Sequence, residues 1–181
     1  MRIIGITGTC GAGKGTVVEY LIKKKGFLHY SARGFIVKEI IKRGMEVNRD
    51  SMRIVANDLR EKNSPAFIIE ELYKEAVKSG ENCIIESIRC PGEIDSLEKK
   101  EDFKLWAVDA DSKTRYDRAF LRGNSSDNID YETFLEQEQK EMNNTNPFEQ
   151  NLFLCIKRAK YVFNNDSDVN NLYKQVDEVL E

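Results

Sequence analysis

The stretch "ITGTCGAGKGT", Ile6–Thr16, constrains this chain more than any other. It follows the apolar run Ile3–Ile6 and leads into Val17, Val18, Leu21 and Ile22, which have helical spacing. Gly8-Thr9-Cys10-Gly11-Ala12-Gly13-Lys14 fills the first seven places of the phosphate-loop pattern GxxxxGK followed by Ser or Thr. Backbone N–H groups can surround a polyphosphate only where no Cβ intervenes, which accounts for the glycines. A helix that begins there aims its positive end at the same anions. Lys14 adds a cation that can follow the phosphate being transferred. A glycine turn that merely reverses the chain has no need of that lysine. A GxGxxG dinucleotide fingerprint fails, because these glycines are spaced GxxGxGxG.

The rest of the chain supplies the alternation such a loop requires. Strand-length apolar runs occur at Arg2–Thr7, Phe27–Ser31, Asn82–Ser87, Lys104–Ala110 and Tyr161–Asn165. Their continuous apolar character predicts strands buried on both faces of a parallel sheet. Helical spacing appears in Met52, Val55, Ala56 and Leu59, and again in Ile69, Leu72, Tyr73 and Ala76 after a Ser64-Pro65 start. Ser112 can cap a helix carrying Tyr116, Ala119 and Phe120, and a last helix runs from about Val169. The expected fold is an α/β three-layer sandwich on a mainly parallel five-stranded sheet. Its 181 residues suit a single domain, 1–181. The polar stretches 122–130 and 143–147 read as loops.

Composition narrows the partners. A net charge of −3 gives no broad basic field for nucleic acid or anionic membrane. No apolar stretch approaches bilayer length, and "MRIIGI" reads as a buried strand rather than a signal core. Cys10, Cys83, Cys90 and Cys155 lack metal or disulfide spacing, so reduced thiols in a cytoplasmic protein are expected. The single histidine, His29, falls at a strand end, where a structural role is expected.

In this loop Lys14 is followed by Gly15, and the hydroxyl is displaced to Thr16. "GAGKGT" resembles the loop of adenylate kinases and the wider nucleoside monophosphate kinase family. The resemblance implies ATP seated on Gly8, Thr9, Cys10, Gly11, Ala12, Gly13, Lys14, Gly15 and Thr16. It also implies Mg2+ held largely through water, with Thr16 and Glu86 as the protein groups on its side. Cys10 replaces the family's usual proline.

Later segments carry the likeness onward. "HYSARGFIVKEIIKRG" resembles the segment that opens the family's acceptor site, which implies an acceptor-binding insertion at about 31–64 and an acceptor contact for Arg33. Arg53, Asn57 and Arg60 share a helix face, and two arginines there can grip an anion; Arg60 is the better placed. "CIIESIRCPGE" is similar to the family's DGxPR and DGIR segments. By that likeness Glu86 orients magnesium-bound water and Arg89 holds the acceptor phosphate. Arg115, Arg118 and Arg122 lie on one helix face before the polar stretch 122–130, which resembles a short lid. The resemblance implies that Arg118 stacks on the donor base and Arg122 reaches the phosphates, with Arg115 a third candidate. Asn164 or Asn165 falls near the donor base. Asp109 and Asp111 are expected to cap the next helix rather than hold metal. Glu138 and Glu141 are expected to face lid or solvent, without a catalytic role.

The implied activity moves the γ-phosphoryl of ATP to a nucleoside monophosphate. That acceptor is already ionised, so no strong general base is needed, and catalysis falls to Lys14, Arg89, Arg118 and Arg122. A dephospho-coenzyme-A-kinase-like or other small-molecule kinase is the alternative, although those enzymes usually carry GSGKS and an acidic DAD segment. A regulatory ATP-binding module is more distant, since no NKxD-type motif is present.

Overall fold

In the computed structural model, which describes residues 1–123 and 128–180, β1 (Ile3–Thr7) is buried at every position. It is the central strand of a five-stranded sheet ordered β2-β3-β1-β4-β5. The other strands are β2 (Leu28–Ser31), β3 (Cys83–Glu86), β4 (Phe103–Asp109) and β5 (Tyr161–Asn164). Every pairing is parallel, with Ile6 opposite Glu86, Ser31 opposite Glu86 and Asp109 opposite Asn164. The carboxyl ends of all five strands therefore share one edge, where ligands of such sheets bind.

Successive residues of a strand feed opposite layers. Ile3, Cys83 and Ile85 pack with one group of helices, while Ile4, Ile6 and Ile84 pack with the other. The first layer contains α2 (Ala32–Lys42), α3 (Arg49–Lys62), α4 (Phe67–Ser79) and α5 (Pro91–Leu97), with α8 (Leu152–Lys157) adding Cys155. The second contains α1 (Lys14–Lys25) and α9 (Val169–Leu180). Continuous burial holds for β1, β3 and most of β4. The edge strands depart from it, and Leu28 and Val162 are exposed because each edge has one strand neighbour instead of two.

The local start and stop signals are visible. Gly26 closes α1 after Lys23, Lys24 and Lys25, cations that suit the negative end of the helix. Ser31 Oγ accepts the Gly34 N–H at 3.1 Å and opens α2. Asn48 and Ser51 cap α3 reciprocally. Helix α4 begins at Phe67, slightly beyond the Ser64-Pro65 pair. Asp111, rather than Ser112, caps α6 (Ser112–Arg122), accepting from Lys113 N–H at 2.9 Å. Asp130 caps α7 (Tyr131–Met142). The centre of the expected lid, residues 124–127, lies outside the described residues. Helices α2 and α3 occupy the span 31–64 assigned to the acceptor segment. Among the described residues no helix is long and apolar enough to cross a membrane.

Candidate active site

The loop between β1 and α1 is pinned by close backbone approach. A Cβ on Gly8 (φ 136°) would stand 2.1 Å from the carbonyl oxygen of Val108, and one on Gly11 (φ 77°) 2.1 Å from that of Arg115. Both positions need glycine for space and for the left-handed backbone. Asn165, just after β5, donates its Nδ2 to Ala12 O at 2.9 Å and lies against Gly13. Gly15 differs, because a Cβ there would meet nothing within 4 Å. Packing within the chain does not require that glycine.

Lys14 folds over this loop and donates from Nζ to Gly8 O at 2.9 Å and Thr9 O at 2.7 Å. Burial, and then the nearby Arg89 guanidinium, lower its pKa to about 8, against partial compensation from Cys10, Glu86 and Glu141. These groups therefore share one electrostatic neighbourhood. Thr9 Oγ1 donates to Asp109 Oδ1 at 3.2 Å, and Thr7 Oγ1 to Ile88 O at 2.7 Å. Thr16 lies half-buried in the first turn of α1, its N–H on Gly13 O at 3.0 Å.

Glu86 ends β3 beside the loop. Burial would raise its pKa, but His29, Lys14 and Arg89 hold it below the usual carboxylate value. His29 Nε2 stands 3.0 Å from Glu86 Oε2, so this histidine supports the site from β2 rather than serving only as a strand end. Ser87 follows with φ 75°, and its N–H and that of Ile88 both donate to Ile6 O, at 3.0 and 3.1 Å. This sharp turn delivers Arg89, whose Nη1 donates to Glu141 Oε2 at 2.8 Å and Gln150 Oε1 at 2.9 Å.

Several expectations need correction. Arg60 does not face an acceptor. It is 2% exposed and donates from Nε and Nη2 to Glu93 Oε1 at 3.3 and 3.0 Å. Glu93 Oε2 in turn accepts the N–H groups of Arg89 and Cys90 at 2.7 and 3.0 Å, so Arg60 braces the turn from behind. Arg115 does not join the lid face. It is buried, donating to Ala110 O at 2.8 Å and pairing with Glu138. Glu138 and Glu141 lie inward rather than toward solvent. The missed signal is spacing: Phe134, Glu138 and Glu141 recur at i, i+4, i+7, the buried face of α7. Arg49, paired with Glu141 at 2.8 Å, was also missed.

The remaining candidates stand as follows. Arg33 is exposed in the first turn of α2, beside the carboxyl end of β2. Arg118 Nη1 donates to Asn165 O at 2.7 Å, tying α6 to the loop after β5. Arg122 Nη2 lies 3.7 Å from Cys10 Sγ. Lys14, Glu86 and Arg89 are thus drawn together at the strand edge, with Arg118 and Arg122 approaching from α6, beside Asn165 and Cys10. The ionised Glu86 carboxylate suits a hard cation such as Mg2+, which takes few protein ligands and completes its shell with water and phosphate.

A glycine-pinned loop at the carboxyl edge of the central strand, opening a helix on its lysine, defines this chain as a P-loop protein of the kinase-like kind. Residues 4–144 match a family profile described as an AAA domain. A UPF0200 protein of Methanocaldococcus jannaschii is 30% identical over 185 residues, covering 100% of this chain and 90% of the relative. One from Pyrococcus abyssi is 28% identical over 184 residues, covering 98% and 95%. The chain belongs to the UPF0200 family, within the AAA-domain P-loop proteins. Solved structures share the fold. Protein TT1252 of Thermus thermophilus matches with TM-score 0.62 at 22% identity, covering 99% of this chain and 96% of its own. Shikimate kinase from Bacteroides thetaiotaomicron matches with TM-score 0.58 at 15% identity, covering 98% and 96%.

Proposed function

We propose that this protein is an ATP-dependent phosphotransferase whose acceptor is a phosphorylated small molecule, a ribo- or deoxyribonucleoside monophosphate in the first instance. The observation that carries this reading is the meeting of Lys14, Arg89 and Glu86 in one electrostatic neighbourhood at the strand edge. The loop Gly8–Thr16 seats the ATP phosphates, with Lys14 on the transferring group. Mg2+, held on the side of Thr16 and Glu86, supplies neutralisation of phosphate charge. Arg89 grips the acceptor phosphate, and Arg33 lies at the mouth of the acceptor segment 31–64. Arg118 and Arg122 approach the donor from the last turns of α6, just before the expected short lid at 122–130. A monophosphate oxygen is already a competent nucleophile, so positioning and charge cancellation suffice.

The test is coupled ADP release with ATP and Mg2+ across the common ribo- and deoxyribonucleoside monophosphates and dephospho-coenzyme A. At least one monophosphate should stimulate release, and Lys14→Ala should abolish the stimulation in a folded protein. A panel flat at the basal rate refutes the transferase reading.

A further inference from the structure

Glu141 is a buried carboxylate that phosphoryl transfer, as described so far, leaves without a task. Each of its oxygens serves a guanidinium from a different element. Oε1 accepts from Arg49 at the start of α3, at 3.0 Å from Nε and 2.8 Å from Nη2. Oε2 accepts from Nη1 of Arg89 at 2.8 Å. Burial would push the Glu141 carboxyl up, yet Arg89 and Arg49 hold it below its ordinary value, so both bonds are charge-assisted. Gln150 takes the same Nη1 of Arg89 from another side, at 2.9 Å.

The unused part of Arg89 is as informative as the used part. Among the described residues its Nε and Nη2 make no hydrogen bond. A long side chain fixed at one nitrogen by two acceptors has lost most of its rotamer freedom. Its opposite edge then points in a set direction, with two parallel N–H groups matched to a phosphate. Lys14 feels both Arg89 and Glu141, which puts this anchor alongside the phosphate loop.

We propose that Glu141, assisted by Gln150, is the positioning residue of Arg89, fixing one corner of the guanidinium so that Nε and Nη2 meet the anionic group of the phosphorylated acceptor. Arg49 holds Glu141 in turn, which links the acceptor segment to the same anchor. The proposal rests on Arg89 binding the acceptor.

The test is steady-state kinetics with whichever nucleoside monophosphate gives the fastest ADP release from wild type. Glu141→Gln should raise the acceptor KM about 10-fold and leave the ATP KM within about twofold, because only the acceptor arginine is misaligned. Glu141→Asp should restore part of the loss. In an Arg89→Ala background, Glu141→Gln should add less than about twofold, since the group it positions is gone. Should Glu141→Gln fail to fold, Gln150→Ala carries the same test on the other partner of Nη1, with the same split between the two KM values. An unchanged acceptor KM in these variants, or an equal rise in both KM values, overturns the positioning role while leaving Arg89 in place. An Arg89→Ala variant with normal acceptor KM, or a wild type that no monophosphate stimulates, overturns the acceptor reading itself and the proposal with it.

Discussion

Raising the pH from 7 to 9.5 should weaken ATP binding about 30-fold, through Lys14 alone. In the free protein its pKa is lowered to about 8, first by burial and then by Arg89. If ATP seats on this loop, its phosphates surround the ammonium with negative charge and should return its pKa toward the ordinary 10.5, the value used below. At pH 9.5 only about 3% of the free protein carries the Lys14 charge, against about 90% of the complex. Binding then takes up about 0.9 proton per ATP, compared with about 0.1 at pH 7, and the lost affinity amounts to about 2 kcal/mol. The sign for folding is opposite. Lys14 is charged in both states below pH 8, and the cost of confining that charge is fully present there. Between pH 8 and 10.5 the unfolded chain binds more protons, so stability of the free protein rises through this window. Isothermal titration calorimetry at pH 7, 8 and 9.5, in pairs of buffers with different ionisation enthalpies, reads both affinity and proton uptake. Lys14→Arg, which stays charged throughout, should lose the pH slope even if its affinity at pH 7 is lower. Equal affinity at pH 7 and 9.5 in wild type, or an undiminished slope in the arginine variant, refutes the reasoning.

Other expectations concern single positions. Ser87→Gly should stabilise the protein by about 0.5–1 kcal/mol in urea unfolding, because φ 75° strains a residue with a side chain; a loss of stability would contradict this. Arg60→Ala should cost about 3–5 kcal/mol, since it leaves Glu93 buried without its cation, and a cost below about 1 kcal/mol would reopen the anion-gripping role expected of Arg60 from the sequence. Gly11→Ala should remove ATP binding and lower the melting temperature, whereas Gly15→Ala, with open space around its Cβ, should leave the melting temperature of the free protein within about 2 °C.

The strands and the phosphate loop were legible in the sequence because each rests on local chemistry. A run such as Cys83-Ile84-Ile85 is apolar on both faces, and Gly8, Gly11, Gly13 and Lys14 have fixed offsets. The edge strands β2 and β5 were harder, since a sequence does not say which strand lacks a neighbour. Site residues divided along the same line. Glu86 and Arg89 lie three positions apart, so one short segment suggested both at once, and the structure keeps them in one electrostatic neighbourhood. Arg60 shares a helix face with Arg53 and Asn57, yet its guanidinium runs inward to Glu93, a partner 33 residues away. Arg49 and Arg89 meet through Glu141, and residues separated by 92 and 52 positions leave no local trace of that junction. What was readable there was weaker: two glutamates at the spacing of Phe134, a polar pair on what is otherwise an inward stripe.

The Glu93 carboxylate, which receives Arg60 on one oxygen and the amides of Arg89 and Cys90 on the other, has a dynamic consequence. Opening of α3 far enough to withdraw Arg60 removes the countercharge that keeps this carboxylate in place. The two amides should therefore lose protection from deuterium in step with the interior amides of α3, although they belong to a different segment of the chain. Breathing of the helical flank and slackening of the arginine-bearing bend would then be one cooperative event.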